Sequence, residues 1–242
     1  MSRVVIVTGA GGGLGRALVR AVARRGNVAV AFGRDRESLA QTGAGLKPEL
    51  FRPCLADAGD FEAIGRSVAE VGSALGRIDG LFANAASYPR LSLLDQAPEA
   101  WMDVLRVNLG GVMAACRAVL PMMMRTGHGR IVTVGSFADV DPIADSSAYS
   151  ASKGGLHALT RAIAREVGDD YPDILANEWI PGSLNTAMGR PDGVEPDVSA
   201  AWGVALLDLP PGGPTGRIFD RERLVEPPRP FRQRVLAKIG LR

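Results

Sequence analysis

Aromatic residues make up only 5% of this 242-residue chain, and cysteine and histidine occur just twice each. Cys54 and Cys116 lack metal-ligand spacing and sit among apolar residues, so the expectation is a pair of reduced, buried thiols in a cytoplasmic protein rather than a disulfide framework or a zinc site. No apolar run approaches the roughly 20 residues that span a bilayer, and nothing resembling a signal peptide precedes Val4–Val7. Charge of one sign is also lacking: the net formal charge is +2, and nothing in the bulk composition points to nucleic acid. What is plentiful is glycine, at 30 residues, in a chain that is 46% hydrophobic and 22% charged. That balance suits a soluble α/β protein with tight turns, and the length suits one sizeable core better than two. The exception is the C-terminal stretch 227–242, which carries Arg229, Arg232, Arg234, Lys238 and Arg242 and no acid, and leaves the rest of the chain near −3.

Short apolar runs alternate with segments of helical period. Val4–Val7 is too short for a helix and reads as a buried strand. Leu14, Ala17, Leu18, Ala21 and Val22 then share one helical face, which Gly26 closes. Strands are predicted at Val28–Phe32, Leu50–Leu55, Ile78–Ala83, Gly129–Gly135 and Ile174–Ile180, with a short last one at Gly216–Asp220. Helices are predicted from Asp35, from Asp60 as a cap, from Pro98 in a first turn, and around Tyr149. Such alternation implies parallel pairing through right-handed crossovers. The expected fold is therefore α/β: a single-domain, Rossmann-type doubly wound parallel sheet of about seven strands with helices on both faces, whose ligands gather at the carboxyl ends of the strands. Two stretches, Met188–Ala200 and Pro210–Pro214, read as irregular.

Two motifs carry chemistry. Thr8-Gly9-Ala10-Gly11-Gly12-Gly13-Leu14-Gly15 follows the first strand and opens the first helix. Glycines there admit a pyrophosphate close to the backbone, and the helix N-terminus offers unpaired N–H groups. Tyr149 and Lys153 are four residues apart, one helical turn on the same face. An ammonium there would favour the phenolate, and a phenol so tuned can give a proton to a carbonyl oxygen or take one from an alcohol.

With Asp57, Asn84-Ala85, Asn108, Ser136 and Pro181-Gly182 followed by Thr186 in the same order, the chain resembles the short-chain dehydrogenase/reductase family, in its single-domain subclass of about 250 residues, over residues 4–220. The resemblance implies an oxidoreductase that interconverts a carbonyl and an alcohol. Tyr149 would be the general acid/base. Lys153 would lower its pKa and hold the nicotinamide ribose, Ser136 would polarise the substrate oxygen, and Asn108 would hold a water linking Lys153 to solvent. Thr8, Gly9, Gly13, Leu14, Gly15, Asn84, Pro181, Gly182 and Thr186 would line the cofactor, with Asp57 on the adenine amino group or simply in a turn. Ala83-Asn84-Ala85-Ala86 departs from the family's Asn-Asn-Ala-Gly. No metal is implied.

The second strand ends at Gly33, where NAD-preferring relatives place an acid, and Arg34 follows. The missing carboxylate and the added guanidinium favour NADP(H) over NAD(H), although Arg34 also reads as a solvated loop charge beside Asp35, and Gly12 stands where many NADP-dependent relatives carry a basic residue. Tyr88, Phe137, Val140 and Met188 are candidate walls of an open substrate pocket with a small or mobile lid at Ala187–Ala200. The rival readings are a nucleotide-binding sensor or scaffold without turnover, an NAD-dependent alcohol dehydrogenase, and an epimerase or dehydratase of the longer subclass. Domain limits are expected at 1–226 for the catalytic unit and 227–242 for a basic extension. The family resemblance further implies a homotetramer or dimer, and no partner beyond the small-molecule substrate is indicated.

Overall fold

The computed structural model describes residues 2–226. The expected basic extension 227–242 lies outside the described residues. Eight strands form one sheet: β1 (Val4–Thr8), β2 (Val28–Gly33), β3 (Phe51–Leu55), β4 (Gly80–Ala83), β5 (Gly129–Val134), β6 (Ile174–Ile180), β7 (Ile218–Asp220) and β8 (Arg223–Leu224). Their spatial order is β3-β2-β1-β4-β5-β6-β7-β8. Every pairing is parallel except β7 with β8. The central strands are buried throughout. Coverage on both faces is why β1 and β4 read as short apolar runs rather than alternating patterns, while β5 and β6 also bury Arg130, Thr133, Asn177 and Glu178.

The chain builds outward from β1 to β3 and then returns to lay β4 on the other side of β1. This reversal opens a crevice at the carboxyl ends of β1 and β4. Helices α1 (Gly13–Arg24), α2 (Arg36–Gly43), α3 (Phe61–Leu75), α4 (Pro98–Leu105), α5 (Gly111–Thr126), α6 (Ser147–Gly168) and α7 (Pro196–Ala205) cover the sheet. One face is packed by α3, α5 and α6 through Ile64, Val112, Val119, Leu156 and Ile163. The other is packed by α1 and α7 through Leu18, Val22, Ala200 and Val204, with Trp179 fully buried among them. The caps follow the local sequence: Asp35 Oδ1 accepts from Ser38 N at 2.7 Å and Asp60 Oδ1 from Ala63 N at 2.9 Å.

Several expectations need correction. The stretch Met188–Ala200 is not wholly irregular, since α7 begins inside it. Pro196 occupies the helix's first turn, where its missing N–H costs nothing. Strand β8 is an antiparallel addition of two residues, which brings the sheet to eight strands. Helices α4 and α5 are joined by a single π turn, Arg106–Gly110. The joined helix, Pro98–Thr126, is long and apolar enough to cross a membrane by length and composition, yet half of its apolar stretch is buried within the protein. Cys116 is buried and its thiol is pushed up to about 12 by that burial, but Cys54 is only half-buried.

Candidate active site

The glycine turn sits where β1 meets α1. Gly9 has φ +67° and Gly13 φ +47°, conformations that side chains rarely adopt. A Cβ on Gly9 would fall 2.8 Å from the Cα of Ala85, and one on Gly15 would overlap the Gly9 carbonyl oxygen. Gly12 has open space beside it instead, and it caps α1 with no side-chain hydrogen bond. The first N–H groups of α1 therefore face a cavity with no acid in the helix's first turn. Leu14 is buried beneath this turn.

Thr8 and Asn84 hold the crevice together. Thr8 Oγ1 accepts from the backbone N–H groups of Asn84 and Ala85, both at 3.0 Å, and Asn84 Nδ2 donates to Thr8 O at 2.9 Å. These bonds tie the ends of β1 and β4. The Thr8 hydroxyl is thus engaged by the protein itself.

Two adjoining cavities share Gly9, Gly12, Ala85 and Ala86. The first, of about 1040 Å³, is lined by Gly33, Arg34, Asp35, Ser38 and Asp57. The second, of about 760 Å³, is lined by Asn84, Ser136, Tyr149, Lys153, Pro181, Gly182 and Thr186. Together they form a continuous trough over the carboxyl ends of the strands, with the glycine turn at its middle. A dinucleotide fits that outline: unpaired helix N–H groups at the centre, a polar end near β2, and the titratable cluster near β5 and β6. Thr186 reaches over the turn, its Cγ2 3.3 Å from where a Cβ of Gly13 would stand. Gln96 Nε2 is buried without a partner among the described residues and lines the first cavity.

The titratable cluster is assembled from three elements. Ser136 follows β5, and its Oγ accepts from Ala138 N at 3.2 Å to start a short 3₁₀ turn. Tyr149 and Lys153 lie one turn apart on α6. Lys153 is 3% exposed, and its Nζ donates to Val134 O at 2.6 Å. Burial pushes the Lys153 amine down to about 8, while the Glu178 carboxylate pulls the other way. Burial pushes the Tyr149 phenol above its ordinary value; the Ser136 hydroxyl within hydrogen-bonding reach opposes this, and Tyr88 adds to the rise. The net shift of the phenol is upward rather than the expected lowering, with burial as its largest cause. The ammonium stands 5.4 Å from the ring centroid and spends its bond on Val134.

Asn108 lies in the π turn and is fully buried. Its Oδ1 accepts from Ser87 N at 2.7 Å, and its Nδ2 donates to Ser87 O at 2.9 Å and to Ser152 Oγ at 3.1 Å. The amide is thus occupied in fastening the loop after β4 to α6. Asp57 Oδ1 accepts from Gly59 N at 2.8 Å, and its Oδ2 lies 3.9 Å from Arg34 Nη1. Of the pocket-wall candidates, Tyr88, Phe137 and Met188 line the second cavity, while Val140 is 77% exposed and does not. Tyr88 stacks on Tyr149 with centroids 4.5 Å apart. Arg90, which has no signature in the sequence, lies over Tyr88 and donates to Met188 O at 2.7 Å and Gly189 O at 2.9 Å. It ties the expected lid down over the pocket.

Comparison with known proteins agrees with this geometry. The family model for short chain dehydrogenases matches residues 3–195. The chain belongs to the short-chain dehydrogenase family. It is 34% identical over 189 residues to carbonyl reductase family member 4 of Danio rerio, covering 78% of each chain. It is 35% identical over 192 residues to 3-oxoacyl-[acyl-carrier-protein] reductase of Bos taurus, covering 78% of this chain and 79% of that one. Among solved structures, levodione reductase superposes with a TM-score of 0.82 at 26% identity, over 90% of this chain and 95% of that one. An alcohol dehydrogenase from Thermococcus sibiricus, complexed with 5-hydroxy-NADP, gives the same score and identity over 94% of this chain and all of that one. This short-chain dehydrogenase is an oxidoreductase with a nicotinamide-dinucleotide-binding fold.

Proposed function

We propose that this enzyme interconverts a ketone or aldehyde and the corresponding alcohol with NADP(H), using Tyr149 as the general acid/base. The observation that carries the reading is the convergence of Ser136, Tyr149 and a buried Lys153 in one cavity that opens directly onto the glycine turn. The nicotinamide, when bound, supplies or accepts the hydride. The protein's own part is position and protons. In the direction of reduction, Tyr149 gives its proton to the carbonyl oxygen as negative charge develops there, and Ser136 donates a hydrogen bond to the same oxygen. A phenol raised by burial is kept protonated for that task. Lys153 places a cation beneath the ring and stabilises the phenolate left behind.

The preference for NADP(H) rests on the end of β2. The last residue of β2 carries no carboxylate: Gly33 packs against Leu39, and Asp35 Oδ1 caps α2. Arg34 is exposed and lines the first cavity, with only a 3.9 Å contact to Asp57. A guanidinium so placed suits a 2′-phosphate. The bound NADP analogue of the Thermococcus sibiricus relative agrees with this choice. The wall of Tyr88, Phe137, Ile143 and Met188 favours a substrate with an apolar body.

The test is loss of nicotinamide absorbance with NADPH against a panel of ketones, aldehydes and diketones, for wild type and Tyr149→Phe. The variant is expected to keep NADPH binding and lose at least about 100-fold in turnover, the usual contribution of a positioned acid. Equal turnover by the two proteins would remove Tyr149 from the chemistry. Tight binding by wild type with no turnover in either direction would support the sensor reading instead.

A further inference from the structure

Behind Lys153 lies a buried carboxylate that the proposed chemistry does not use. Glu178 is on β6, in the interior of the sheet, and is 3% exposed. A charge buried there is costly unless it is paired. Its partner is His157, whose Nδ1 stands 2.9 Å from Glu178 Oε2. His157 is on α6, four residues after Lys153, so the two side chains leave adjacent turns of the same helical face. The carboxylate lies against the backbone at Gly135: a Cβ there would overlap Oε1 and fall 2.7 Å from Cδ and Cγ. The absence of a side chain at position 135 makes room for Glu178. Gly135 is bonded directly to Val134, whose carbonyl receives the Lys153 ammonium at 2.6 Å. Glu178, with His157 on its carboxylate, thus packs against the same strand end that receives the Lys153 ammonium.

We propose that Glu178, held in place by His157, is a positioning residue: the buried counter-charge that keeps Lys153 protonated inside the active site. The inference rests on the assignment of Lys153 to the catalytic group. Lys153 is faced by Tyr149 on its own helix and by Glu178 on β6. Glu178 is faced by His157 and Lys153 on α6 and by Asp139 in the 3₁₀ turn after β5. Burial disfavours both the ammonium and the carboxylate, whereas the attraction between them favours both. His157 favours the ionised carboxylate, and Asp139 opposes it.

The sign follows directly. Removing the carboxylate removes an attraction on the ammonium, so Lys153 must lose its proton at lower pH than in wild type. The chain has only three lysines, Lys47, Lys153 and Lys238. Side-chain NMR of lysine-labelled, cofactor-free enzyme therefore follows Lys153 directly, with Lys153→Met to assign it. In Glu178→Gln the midpoint is expected to fall by about one unit, the scale of a close opposite charge. Glu178→Asp keeps the charge and should restore most of the shift. The alkaline limb of NADPH-dependent turnover should move down by the same amount in Glu178→Gln. An unchanged Lys153 midpoint in Glu178→Gln overturns the proposal. If that variant does not fold, His157→Gln serves in its place: a smaller shift in the same direction supports the pair, and no shift overturns it. The outcome is separable from the catalytic reading, because the midpoint is read without substrate. Wild-type turnover by Tyr149→Phe would sink the reading while leaving the midpoint comparison intact.

Discussion

Gly15→Ala is the sharpest test of the crevice. The new Cβ would overlap the Gly9 carbonyl oxygen and stand 2.8 Å from both the Gly9 carbonyl carbon and Asn84 Nδ2. Two of those atoms are backbone and cannot swing aside as a flexible side chain would. The strand–helix turn must move instead, and it is pinned by the Thr8–Asn84 bonds. Overpacking of this kind costs about 1–3 kcal/mol. For a chain of this size each kcal/mol lowers Tm by about 2–4 °C. The displaced turn should also weaken NADPH, since errors near 1 Å in a positioning element can cost about 100-fold. Gly12→Ala is the internal control, because a Cβ there meets nothing within 4 Å and the backbone is extended, at φ −167°. Its effect on stability should stay within about 0.5 kcal/mol. Urea unfolding and NADPH titration of the two variants decide the matter. Equal stability in Gly15→Ala and Gly12→Ala would refute the packing argument.

Three further outcomes are expected. Lys153→Met should abolish turnover and remove a pH dependence of stability. The buried amine, at about 8, sits below its ordinary value of 10.5, so the unfolded chain holds more protons between those values, and wild-type stability rises as pH climbs through that window. The wild type should therefore gain on the order of 3 kcal/mol relative to the variant between pH 8 and 10.5, and urea unfolding at pH 7 and 10 checks it. Arg34→Ala should weaken NADPH about tenfold or more and NADH little; an equal loss for both would show that the guanidinium does not read the 2′-phosphate. Arg90→Ala should free the Met188–Gly189 loop and speed proteolytic cleavage within residues 187–195, whereas an unchanged cleavage rate would mean that other contacts hold the lid.

Much of the fold was legible because its signals are local. The parallel strands are short and buried on both faces, so β1 and β2 stand out as compact apolar runs. Asp35 and Asp60 announced helix starts because a capping carboxylate needs only the next three residues. Helix α7 was missed for a matching reason. Its residues Ala200, Ala201, Gly203 and Val204 are small and apolar without a polar stripe to set a period, and Pro191 and Pro196 read as breaks. The two-residue β8 exists only because β7 offers it an edge. At the site, Ser136, Tyr149 and Lys153 were legible from type and spacing. Arg90 and the Glu178–His157 pair were not, because nothing in their neighbourhood signals a partner 21 to 99 residues away.

The sequence by itself determined the alternation of strands and helices, the glycine turn at a helix start, and the placing of a phenol and an amine one helical turn apart. These depend on backbone preference and on 3.6-residue periodicity, which act over a few residues. Only the tertiary structure decided the protonation balance of that pair. Burial raises the phenol and lowers the amine, and Ser136, Tyr88 and Glu178 then adjust them. Desolvation and Coulomb interaction depend on distance in space, and the groups that exert them arrive from β5, β6 and the loop after β4.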